Sequence, residues 1–77
     1  MREFHIAIRS SRDVMDFVSL AMRQPFDVLV GNEWQQISGK SFMAMLSLDY
    51  KKPLRVRVTC SEEEFSAFRT AASPFLV

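Results

Sequence analysis

Apolar and polar residues alternate through Phe4-His5-Ile6-Ala7-Ile8-Arg9, which puts Phe4, Ile6 and Ile8 on one face and predicts a half-buried strand. The period then changes. Val14, Phe17, Val18 and Ala21 recur at helical spacing, behind Ser10-Ser11-Arg12-Asp13, which supplies capping hydroxyls and a carboxylate suited to a helix N-terminus. This helix stops at Arg23-Gln24-Pro25, because proline disfavours helix in the residue before it. Phe26–Val30 reads as a second strand, Gly31-Asn32 as a two-residue turn, and Glu33–Ile37 as the returning strand of a hairpin. Ser41 is placed to cap a stretch of Phe, Met, Ala and Leu without β-branched residues, with room for about two helical turns before Asp49-Tyr50-Lys51-Lys52-Pro53. Leu54–Thr59 alternates most cleanly of all. Ser61-Glu62-Glu63-Glu64 is a capping box opening a last helix with Phe65, Phe68 and Ala72 inward, ended by Ser73-Pro74. The apolar tail Phe75-Leu76-Val77 is expected to dock back.

The order β-α-β-β-α-β-α predicts an α+β open-faced β-sandwich: a four-stranded antiparallel sheet with three helices on one face and the other face toward solvent. Its expected core holds Phe4, Ile6, Ile8, Val14, Phe17, Val18, Val28, Leu54, Val56, Val58, Phe65 and Phe68. His5, Arg9, Arg55 and Arg57 then face outward, joined by Leu29 and Trp34 if the hairpin turn has two residues. Tryptophan beside arginines suits a cation–π cover or a self-association surface.

Residues 1–77 form one domain of ordinary globular composition, 48% hydrophobic, so disorder is not expected. The net charge of +1 gives no bias toward nucleic acid or membrane. An RNA-binding sheet of this topology would also need an aromatic-rich motif that the chain lacks. No apolar run reaches membrane-spanning length, the N-terminus has no signal-peptide core, and the lone Cys60 favours a reducing, cytoplasmic setting. Cys60 lies before a helix start, where a dipole lowers thiol pKa, but no basic residue neighbours it in sequence, and it reads as a buried small apolar side chain. One His and one Cys at opposite ends make no metal first shell, and two glycines exclude a Gly-rich phosphate loop. No metal or cofactor is expected.

Gly39-Lys40-Ser41-Phe42-Met43-Ala44-Met45-Leu46-Ser47-Leu48 resembles the serine-led regulatory helix of HPr, the small phosphocarrier of the bacterial sugar phosphotransferase system. Lys40-Ser41 and Ser47-Leu48 match the family's Lys-Ser opening and Ser-Leu close, while Phe42 replaces an aliphatic residue and Ala44 a glycine. The element order agrees with HPr over nearly the whole chain. HPr carries phosphate on the histidine of a His-Ala-Arg-Pro motif at its first helix. Counting back from Ser41 without a gap places Ser10, Ser11, Arg12 and Asp13 at those four positions, so only Arg12 is retained. The loop before them is shorter than in HPr, which leaves Ser10 or Ser11 at the histidine position.

That substitution changes the chemistry. Phosphohistidine has an imidazole leaving group near neutrality, whereas a phosphoserine ester holds its phosphate. The resemblance therefore implies a member without a competent carrier histidine, not an enzyme, acting as a regulatory or protein-interaction module. The alternative is a phosphocarrier-family protein of sugar uptake with displaced chemistry. Expected partners are phosphotransferase-system enzymes or a regulator, met through Arg12, Phe42, Met43 and Leu46. A monomer or weak homodimer is expected. Ser41 matches the serine that a kinase phosphorylates in Gram-positive HPr proteins, and Lys40 adds a neighbouring charge. Each serine also has a plain capping role.

Overall fold

The computed structural model describes Met1–Val77. Its elements run β1 (Arg2–Ile6), α1 (Ser11–Met22), β2 (Val28–Gly31), β3 (Gln36–Ser38), α2 (Phe42–Ser47), β4 (Leu54–Val58) and α3 (Glu62–Ala71), followed by a 3₁₀ turn at Ser73–Phe75. The sheet has the order β1-β4-β2-β3 with every pair antiparallel. Strand alternation directs Phe4, Ile6, Val28, Val30, Leu54, Val56 and Val58 to one face, where they are buried with Val14, Phe17, Val18 and Ala21 of α1, Met45 of α2 and Phe68 of α3. The predicted open-faced sandwich is the observed fold. Phenylalanine rings join the layers: Phe68 meets Phe4 at 5.6 Å and Phe26 at 5.8 Å between centroids, both near edge-to-face.

Three boundaries differ from the expected ones. β1 spans Arg2–Ile6 rather than Phe4–Arg9: Arg2 and Glu3 pair with Val58 and Arg57, and past Ile6 the Ala7 amide bonds the Phe75 carbonyl of the tail instead of a strand. β2 begins at Val28, and Phe26 packs half-buried against the core from the preceding segment. The hairpin connection is four residues, 32–35, not two. Asn32 Oδ1 accepts from the Trp34 and Gln35 amides at 2.8 and 2.9 Å, and this side-chain turn replaces the tight one. Trp34 therefore stands at the tip of the loop, 88% exposed, instead of lying on the sheet.

Phe65 is the one expected core residue that is only half-buried. It packs on Phe4 at the margin, with the Arg2 guanidinium 6.0 Å from its ring. The tail docks as expected: the Ala7 amide donates to the Phe75 carbonyl at 2.7 Å, Val77 donates to His5 at 3.3 Å, and Phe75 is buried against Phe17. These bonds cover part of the outer edge of β1, which would otherwise offer free backbone groups to a neighbouring chain.

Candidate functional site

The chain enters α1 through a closed cap. Ser10 Oγ accepts from the Asp13 amide at 3.2 Å, and Asp13 Oδ2 accepts from the Arg9 amide at 2.9 Å. Two otherwise orphaned backbone donors are satisfied in this way, and the carboxylate sits at the positive end of the helix dipole. Ser11 is the first helical residue and is exposed. Arg12 points to solvent, paired only with Asp16 one turn on at 3.4 Å. Arg9, expected on the outer sheet face, lies beyond the end of β1 in this loop. His5 belongs to β1 on the outer sheet face, opposite Arg55, and takes no part in the loop.

Gly39 brings the chain into α2. A Cβ there would lie 2.9 Å from methyls of both Val28 and Val30, so only glycine allows this approach to the sheet. Ser41 then caps α2 by accepting from the Ala44 amide at 3.2 Å, and Ser47 Oγ bonds back to the Ala44 carbonyl. Met45 and Leu48 point into the core. Phe42 and Leu46 are 38% and 39% exposed, and Met43 is 76% exposed. The stretch carries more apolar residues than one buried face needs, and part of it is core while part lies open.

Lys40 is committed to a partner other than Ser41. Its ammonium donates to the Gln24 carbonyl at 2.9 Å, where it meets the negative end of α1. This contact fixes where α2 begins relative to α1. Arg12 lies at the other end of α1, roughly 18 Å away along the axis of a twelve-residue helix. Arg12 and the Ser41 cap are therefore not one cluster, and a partner touching both must span the length of α1. Met15 and Met22, one heptad apart on α1, are also exposed. Their signal in the sequence was their position off the Val14-Phe17-Val18-Ala21 stripe.

Cys60 is partly exposed rather than buried. Burial pushes its thiol pKa up, the nearby Glu64 carboxylate pushes it further, and Arg2 offsets part of the rise. The opposite shift expected from the helix dipole is overridden, so the thiol is not poised as a nucleophile.

No family model matches the chain, and no curated protein matches it in sequence. Among solved structures, it is similar to the crystal structure of HPr-C-His from Thermoanaerobacter tengcongensis. The two share 22% identity over 91% of this chain and 89% of the other, with a TM-score of 0.73. No helix is long and apolar enough to cross a membrane. The sheet order, the helices on one face and this likeness together show an HPr-like fold.

Proposed function

We propose that this chain is an HPr-like module that works by binding a protein partner, a phosphotransferase-system enzyme or a regulator, and that it does not carry phosphate on histidine. The observation that carries this reading is the closed cap at Ser10–Asp13. The Ser10 hydroxyl and the Asp13 carboxylate both hold backbone amides of the entry to α1, and His5 lies on the outer sheet face. Phe42, Met43 and Leu46 supply an open apolar surface on α2, which a partner can desolvate. Met15 and Met22 are further exposed apolar side chains on α1, and Arg12 offers a polar contact at the start of that helix.

Ser41 is the proposed point of regulation. A phosphate there takes over the Ala44 amide from the hydroxyl and places charge beside Phe42, changing partner affinity without unfolding the domain. One experiment with two arms tests the reading. Incubation with enzyme I and phosphoenolpyruvate should leave no acid-labile, base-stable phosphoryl group on the protein. Such a group on His5 would favour the alternative of a sugar-uptake carrier with displaced chemistry. Incubation with an HPr kinase and ATP should add one phosphate by intact mass, absent from Ser41→Ala. Without that phosphate, Ser41 is a cap and nothing more.

A further inference from the structure

A second site lies on the opposite side of the sheet from α2 and is independent of the proposed partner surface. A cleft of about 330 Å³ opens there, lined by the turn at residues 32–35, the loop leading into β4, and the strands beneath them. At its base Arg55 stands directly across from His5 in the β1–β4 pair and from Gly31 in the β2–β4 pair. Gly31 keeps this floor open. A Cβ there would meet the Gln35 carbonyl oxygen at 2.7 Å, so no larger residue fits without moving the turn.

Arg55 is half-buried, yet it has neither a carboxylate within salt-bridge distance nor a hydrogen bond to its guanidinium. Arg57, on the same face of the same strand, is paired with Glu3 at 3.1 Å. The stem of Arg55 is covered by the sheet while its guanidinium nitrogens stay open to the cleft and free of any protein partner, so the fork is available to an anion. Lys52 lines the same cleft, also without a carboxylate partner. At the lip is Trp34, its indole offered to solvent while Asn32 holds its backbone in place. An exposed, backbone-anchored tryptophan is a stacking platform for a flat ring.

The charges limit the ligand further. Glu33 and Asp49 also line the cleft, so they balance Arg55 and Lys52, and a polyphosphate would meet repulsion. Asp49 is partly committed to the Lys51 amide at 3.1 Å, whereas Glu33 is free to accept from a ring N–H. A volume of this size falls at the small end of ligand pockets. We propose that the cleft binds a nucleoside monophosphate, with its phosphate on Arg55 and Lys52, its base stacked on Trp34 and a base N–H donated to Glu33.

The test is an amide NMR titration of the full chain with AMP, adenosine and inorganic phosphate in separate arms. AMP at millimolar concentration should shift the amides of residues 31–34, 52, 54 and 55. Arg55→Gln should weaken AMP by about tenfold or more. Trp34→Ala should weaken AMP by about tenfold while leaving inorganic phosphate unchanged. Both side chains lie outside the core, and far-UV circular dichroism checks that each variant is folded. Absence of AMP shifts at these residues overturns the proposal. So does an unchanged affinity in Arg55→Gln, or inorganic phosphate binding as tightly as AMP.

Discussion

Cys60 shows how a single residue's chemistry depends on neighbours that lie apart in sequence. Arg2 donates to the Cys60 carbonyl at 3.2 Å, but burial and Glu64 outweigh its effect on the thiol. The thiol should therefore alkylate more slowly than a free cysteine at neutral pH, with its half-maximal rate displaced to higher pH. A pH series with iodoacetamide checks this, and a reaction as fast as that of an unfolded peptide contradicts it. Because the folded state holds the thiol proton more tightly than the unfolded state, the associated stability is complete below the unfolded pKa. It is lost as pH rises through the folded value, a dependence that Cys60→Ser removes. The sequence showed the cap at Ser61 and hence the dipole. It overstated the burial and did not show the fields of Glu64 and Arg2, which together with the partial burial decide the sign.

At the scale of elements, the sequence was most legible where a local pattern and a local hydrogen bond agree. The capping box is present as read: Ser61 Oγ accepts from the Glu64 amide at 3.1 Å, and Glu64 Oε1 accepts from the Ser61 amide at 3.0 Å. The hairpin was misread because Gly31-Asn32 is also how an Asn-led turn begins, and its side-chain bonds cannot be told from spacing. The docking of the tail was legible from its apolar character, but its pairing with the edge of β1 was not. Phe75 is the anchor of that pairing. Phe75→Ala should cost about 3–5 kcal/mol, since a buried ring is lost from beneath Phe17. Hydrogen exchange at Ala7, whose amide the Phe75 carbonyl holds, should accelerate along with it. Slow exchange at Ala7 in this variant would mean that the tail docks without its anchor.

Across the whole molecule, one contiguous cluster of buried side chains touches every layer. Phe68 is fully buried within it and contacts rings from β1, α1 and the segment before β2. Phe68→Ala should remove about 3–5 kcal/mol, a large share of the ~5–15 kcal/mol typical of a domain. The loss should appear in a single transition, with far-UV and near-UV signals coinciding in urea; separate transitions would show that α3 unfolds independently. This core was largely legible, since burial follows the strand and helix periods directly. The cleft was not, because His5, Trp34, Lys52 and Arg55 meet only through sheet order and turn length. The pairing of Lys40 with Gln24 was hidden for the same reason.

The position of β1 in the sheet has a consequence for how the protein is made. The strand is translated before its only strand partner, β4, which follows about fifty residues later. At ~5–20 residues per second, a ribosome leaves Phe4, Ile6 and Ile8 without their sheet for roughly 3–10 s. During that interval the nascent segment is an apolar, strand-forming peptide open to chaperones and to other nascent chains. Synonymous codons that slow translation between α1 and β4 should therefore lower soluble yield while leaving the finished protein unchanged.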